Sequence, residues 1–160
     1  MHGLPGADTP PEACRETFIG NLRGAAAKAA EHDITVVIEP LNTRDYPGYP
    51  LNRQEDAQQI VAAVAAPNLK IQFDFYHCQI EQGDVATRFR NLAGDIGHIQ
   101  IAGVPERHEP DTGALNYPPL LALIDALGYD GWVGCEYRPA GTTEAGLAWA
   151  ADYGIAAPPA

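Results

Sequence analysis

Four polar side chains recur at a spacing that could assemble one site: Glu39 in "VVIEPLN", Asp74 in "IQFDFYH", Gln100 in "HIQIAG" and Glu136 in "VGCEY". They stand 35, 26 and 36 residues apart, each at the end of a short apolar run. Three carboxylates and an amide oxygen drawn to one point raise one another's pKa, so the convergence is costly without a cation. Four oxygen donors suit Mg2+ or Mn2+ better than zinc or copper. A single acid at such a place is most often a solvated terminus or a helix cap. Repetition in phase across four segments is what favours a metal site.

The elements that must position these residues follow from the apolar pattern. "DITVVIEPLN", "NLKIQFDFYHCQ", "IGHIQIAG" and "WVGCEYRP" read as strands. Parity places Val37 with Glu39, Gln72 with Asp74, His98 with Gln100, and Gly134 with Glu136, each pair opposite an apolar face. Helices are expected between them. One follows Thr9, where "TPPE" offers a capping box with prolines at the first helical positions, and carries Phe18, Leu22, Ala25, Ala26 and Ala29. Others are "NRQEDAQQIVAAVAA" with Asn52 and Glu55 as a capping pair, "GDVATRFRNLAG" with Asp84 as cap, "NYPPLLALIDALGYDG", and "TTEAGLAWAADYG". The order is a helix and then four βα units, which predicts an α/β protein with a parallel sheet. A (β/α)8 barrel of about 250 residues spends roughly 30 on each unit, and its strand ends converge at the C-terminal mouth. The spacing of the four oxygen donors matches that repeat.

Composition narrows the function. The chain has 160 residues, 46% hydrophobic and 19% charged, enough for one domain with a core. Its net charge of −11 repels phosphates and anionic lipid, so neither nucleic acid nor a membrane is an expected partner. No apolar stretch reaches membrane-spanning length, and the first residues lack a signal-peptide pattern. Cys14, Cys78 and Cys135 lack zinc spacing and are expected as reduced, mostly buried thiols in a cytoplasmic protein. A single domain over residues 1–154 is expected, with a flexible small-residue tail over 155–160.

The segments "IEPLN", "FDFYHCQ", "HIQIAGVPERHEPDTGALNY" and "GCEYRPAGTTEAGLAW" resemble hydroxypyruvate isomerases, of the xylose isomerase-like TIM barrel superfamily, from about Phe18 to Trp149. The 2-oxo-tetronate isomerases share most of the same signature. The resemblance implies a (β/α)8 barrel holding one divalent metal. Glu39, Asp74, Gln100 and Glu136 fall on its ligands, and Glu39 and Glu136 on its acid/base pair. His77 and Arg107 fall where the family contacts substrate oxygens. Gln100 stands where related sugar epimerases usually have His, which favours the hydroxypyruvate branch. Four units rather than eight imply the C-terminal half of the barrel, with "MHG" resembling the end of a fourth barrel strand.

The implied reaction interconverts hydroxypyruvate and tartronate semialdehyde through an enediolate. It needs a carboxylate base, a second proton donor and a cation for the developing oxyanion. Arg107 suits a substrate carboxylate, and His108 and Glu109 would orient it or close its loop. Each residue has a plainer reading. His77 could be a satisfied histidine beside Phe75, and Arg107 could pair with Glu106 or Glu109 on a solvated loop. His98, Trp132 and Tyr137 read as supporting or packing residues. Two other functions compete. A half-barrel with open edges could simply self-associate as a homodimer. A nuclease of the same superfamily would need several zinc ions and more histidines than the 5 present.

Overall fold

The computed structural model describes Gly6 and residues 8–154; the expectations for "MHG" and for the tail 155–160 lie outside the described residues. Four strands, β1 (Val36–Ile38), β2 (Leu69–Asp74), β3 (Ile96–Ile101) and β4 (Val133–Cys135), form one sheet in sequence order, every neighbour parallel. Each crossover is helical: α2 (Gln54–Val64), the pair α3 (Phe75–Glu81) and α4 (Val85–Leu92), then α5 (Tyr117–Ala126). Helix α1 (Pro11–Ala30) precedes β1.

Helical spacing decides which side chains reach the core. Ala57, Ile60 and Val64 of α2, Val85, Phe89 and Leu92 of α4, and Tyr117, Leu120 and Ile124 of α5 are buried. They cover the strand face carrying Leu69, Ile71, Phe73, Ile99 and Ile101, each at most 2% exposed. Phe73, Phe75 and Phe89 meet with ring centroids 5.0–5.4 Å apart. Burying such a side chain stabilises the fold by about 1.5–3 kcal/mol. The opposite strand face carries Gln72, His98 and Gln100, all half-buried. Strand β3 lies between two neighbours, so its polar alternation marks an inner face and not a solvated edge.

Local chemistry corrects several expectations. Strand β2 stops at Asp74, and "FYHCQIE" is helix α3, because the Asp74 carboxylate accepts the Tyr76 N–H at 2.8 Å and starts the turn. This puts His77 on a helix one turn beyond Asp74. The capping boxes do not form. Pro10 precedes α1 without a side-chain cap, and the Thr9 N–H bonds Gly6. Asn52 donates to the Tyr49 carbonyl, and Asp84 adopts φ +49° without capping α4. Along α1, Leu22 and Ala26 are buried but Ala25 is exposed. The final expected helix is a run of 3-10 turns, Ala145–Tyr153, whose Gly146 carbonyl accepts from Tyr137 Oη at 2.6 Å. Trp132 does not pack: it is 83% exposed. Cys78 is buried, Cys14 half-buried and Cys135 exposed, all as free thiols.

The loop after β3 folds back tightly. Gly103 lies so close to the Glu109 and Thr112 carbonyls that a Cβ would stand 2.5 Å and 2.6 Å from them. Gly113 bridges to Val104 at φ +90°, a conformation open to glycine. This fold-back aims Arg107 inward. No described helix is long and apolar enough to cross a membrane.

Candidate active site

Parallel strands carry their C-terminal ends to one edge of the sheet, and all four oxygen-bearing side chains stand along it, with Glu136 more than half exposed. Glu39 follows β1, Asp74 ends β2, Gln100 lies beside Asp74 across the ladder, and Glu136 follows β4. Ligand atoms of Glu39, Asp74 and His77 all lie within 4.8 Å of one another. Glu136 joins them through Arg107, whose Nη2 donates to Asp74 Oδ2 at 3.2 Å and closely to Glu136 Oε2. Gln100 Oε1 accepts from Gln72 Nε2 at 2.5 Å. Asp74 spends one oxygen on the Tyr76 N–H, so Oδ2 faces the cluster. Glu39 Oε1 is buried without a hydrogen-bond partner.

The electrostatics follow from crowding acids in a buried place. Burial first, then the Asp74 and Glu136 carboxylates, push Glu39 from 4.5 up to about 8; a hydrogen bond from Gln72 and the Arg107 charge oppose this. Burial raises Asp74 to about 6, against Arg107 and the Tyr76 N–H. Burial and then Arg107 lower His77 to about 3, so the imidazole is neutral. A buried carboxyl that holds its proton, with an orphaned oxygen beside a second acid, is a donor set suited to a divalent cation. The residues present therefore fit the metal that the sequence implies.

The ring of His77 meets donors at both nitrogens, and the two from Asn42 assign its tautomer. Asn42 donates to Nδ1 from its backbone N–H at 3.1 Å and faces it with Nδ2 at 2.7 Å. The Asn42 amide is oriented by the Asp45 N–H, which donates to Oδ1 at 2.8 Å. A neutral imidazole accepts at one nitrogen only, so its proton is on Nε2. Nε2 faces Asp74 Oδ2 at 3.7 Å and Glu39 Oε1 at 3.9 Å. Arg107 Nη1 stands 3.1 Å from the same Nε2. Two N–H donors thus converge without an acceptor between them.

Arg107 is 8% exposed and adopts φ +60°, a left-handed conformation that costs a non-glycine residue roughly 1–3 kcal/mol. Its backbone is held at both ends: its N–H bonds Gly103 at 2.9 Å and its carbonyl accepts the Arg138 N–H at 2.7 Å. Its guanidinium lies over the Tyr76 ring at 4.7 Å, and Nε donates to the Glu136 carbonyl. It pairs with Asp74 and Glu136, not with Glu106 or Glu109. His108 Nδ1 lies 2.7 Å from the Arg138 carbonyl, and the Glu109 carboxylate accepts the Ala140 N–H at 3.0 Å, so both tie the loop after β4 in place. His98 is half-buried against Gly134.

Sequence reasoning missed the residues around this centre. Tyr76 Oη donates to Asp45 at 2.6 Å and accepts from Arg44 Nη2, which also reaches the Pro105 carbonyl at 2.8 Å. This latch spans the loops after β1 and β3. Burial alone would raise Asp45, but hydrogen bonds from Tyr76, Asn42 and Arg44 outweigh it and hold it at about 2. The signals were small: Asn42 sits within "IEPLN", and Gln72 shares its strand face with Asp74.

Comparisons with known proteins agree with this architecture. The profile of the family described as "Xylose isomerase-like TIM barrel" matches residues 1–153. The 2-oxo-tetronate isomerase of Cupriavidus necator is 60% identical over 96% of this chain and 59% of its own length. The hydroxypyruvate isomerase of Escherichia coli is 44% identical over 89% of this chain and 55% of its own length. A crystal structure titled as an AP endonuclease, family 2, from Brucella melitensis superposes with TM-score 0.90 at 51% identity, covering 95% of this chain and 60% of that one. The chain thus spans between half and two thirds of the length of these relatives.

Proposed function

From the premise that this chain belongs to the xylose isomerase-like TIM barrel family, we propose that it carries the metal and proton-transfer centre of an isomerase acting on small 2-oxo acids. The observation that carries this is the convergence of Glu39, Asp74 and His77 within 4.8 Å, with Glu39 Oε1 orphaned and Arg107 alongside. Mg2+ or Mn2+, held by Glu39, Asp74, Gln100 and Glu136, would neutralise charge building on the substrate oxygens. Glu39, as its carboxylate, takes the proton from the hydroxyl-bearing carbon of hydroxypyruvate. Glu136, across the cluster, delivers a proton to the neighbouring carbon. The electron pair passes through an enediolate while the hydroxyl proton moves to the former 2-oxo oxygen, and tartronate semialdehyde results without net oxidation.

His77 and Arg107 supply the binding groups. An oxygen lodged between His77 Nε2 and Arg107 Nη1 would accept from both, and the guanidinium fork suits the substrate carboxylate. The 2-oxo-tetronates offer the same 2-oxo acid head with one more carbon, so they are the neighbouring substrate reading. Nuclease chemistry is disfavoured by one histidine in the cluster and by a net charge of −11. The outer edges of β1 and β4 have no strand neighbour among the described residues, and exposed Ile34 and Trp132 lie near their starts. A second copy pairing through these edges is the accompanying assembly proposal, with a solely monomeric mass by light scattering as its contrary result.

The test has two arms. Mn2+ should raise the melting temperature of the parent chain and leave Asp74→Ala unchanged; no shift in the parent would sink the metal reading. Isomerisation of hydroxypyruvate and of a 2-oxo-tetronate, followed by NMR, should be lost in Glu39→Gln and in Glu136→Gln. Turnover surviving in either variant would remove that residue from the proton transfer.

A further inference from the structure

Beneath the four oxygen donors, the inner face of β2 presents Gln72, two residues before Asp74 and on the same side of the strand. The register slips between Ile71 and Gln72, and Gln72 comes to lie opposite His98. From this position its carboxamide reaches both neighbouring strands. Nε2 donates to Gln100 Oε1 on β3 at 2.5 Å. The Gln72 side chain also lies against Glu39 beyond β1, where its donor character holds that carboxyl's pKa down against burial. An amide nitrogen carries two protons, enough for both partners.

The two contacts together settle an orientation that neither glutamine settles alone. Two facing carboxamides can bond either way round, nitrogen to oxygen or oxygen to nitrogen. With a cation in the cluster Glu39 would be a carboxylate, and a carboxylate only accepts. Glu39 therefore holds the Gln72 nitrogen toward the cluster, and the Gln72 nitrogen in turn requires an oxygen from Gln100. The carbonyl oxygen has a second lone pair left for another partner.

We propose that Gln72 is a positioning residue that fixes the oxygen end of Gln100 toward the cation-binding cluster. It touches neither cation nor substrate in this role, and the inference rests on the metal reading above. Without Gln72, Gln100 is free to present its amide nitrogen, which cannot ligate a cation. Partners that orient metal ligands typically account for 10–100-fold in affinity.

The experiment measures Mn2+ binding to the full chain by electron paramagnetic resonance titration, with melting temperature in EDTA as a control for folding. Gln72→Met keeps the length of the side chain and removes the donor; Gln72→Leu serves the same purpose if methionine disturbs the fold. Binding should weaken about tenfold while the EDTA melting temperature stays within a few degrees. The same substitution is then made beside Gln100→Glu. A carboxylate shows oxygen at both ends, so orientation no longer matters and the loss should shrink to less than twofold. Unchanged Mn2+ affinity in Gln72→Met, or an equal loss in both backgrounds, overturns the proposal. A parent chain that binds no Mn2+ overturns the metal reading itself, a distinguishable result.

Discussion

The raised pKa of Glu39 makes a stability prediction that does not depend on turnover. The native chain keeps a proton on Glu39 up to about pH 8, whereas an ordinary glutamate releases it near 4.5. Between those values the native state binds more protons than the unfolded chain, so stability falls as pH rises through that window. At 1.36 kcal/mol per pH unit the loss comes to about 5 kcal/mol, fully present above pH 8. Glu39→Gln keeps a neutral group of the same shape and removes this loss. Asp74 and His77 are present in both proteins, so the difference between the two curves reports Glu39 together with its coupling to Asp74 and Glu136. Urea unfolding in EDTA from pH 5 to 9 is the assay. The variant should gain on the parent by several kcal/mol, a midpoint separation of about 2 M for an m-value near 2 kcal/mol/M. Saturating Mn2+ at pH 8 should narrow the gap, because it stabilises the parent alone. Curves that stay parallel within about 1 kcal/mol across the range would refute the buried, crowded carboxyl.

Two further outcomes follow from named contacts. Tyr76→Phe keeps the ring beneath Arg107 but removes the hydroxyl that bonds Asp45 and Arg44. It should lose about 1–2 kcal/mol in urea unfolding and raise KM for the oxo acid more than it lowers kcat. A kcat loss with KM unchanged would contradict the positioning of Arg107 by this latch. Gly113→Ala would press a Cβ against the Val104 carbonyl at φ +90°, so the melting temperature should fall by an amount equal to more than about 2 kcal/mol. An unchanged melting temperature would mean that the loop relaxes freely.

Much of the fold was legible because its signals are local. Alternating apolar runs fix strands, their parity fixes which face is polar, and helical spacing fixes the buried stripes of α2, α4 and α5. Helix caps were misread at Thr9, Asn52 and Asp84 because the same side chain can bond several nearby groups, and sequence does not say which one wins. The boundary at Asp74 was misread for the same reason: a strand-like run of Phe and Tyr became a helix once one carboxylate oxygen took a backbone N–H.

The sequence by itself supplied the candidates for the centre: four oxygen donors in phase at strand ends, with His77 and Arg107, in the segments that follow β2 and β3, added by the family resemblance. A period-two strand and a repeating βα unit carry that information in one dimension. Only the tertiary structure decided how those residues are held. The tautomer of His77 depends on Asn42, 35 positions away; the seat of Arg107 depends on Tyr76 and Glu136; the orientation of Gln100 depends on Gln72. These are hydrogen-bond choices between groups distant in the chain. The folded backbone makes them by setting which donor meets which acceptor, and burial makes a wrong pairing costly.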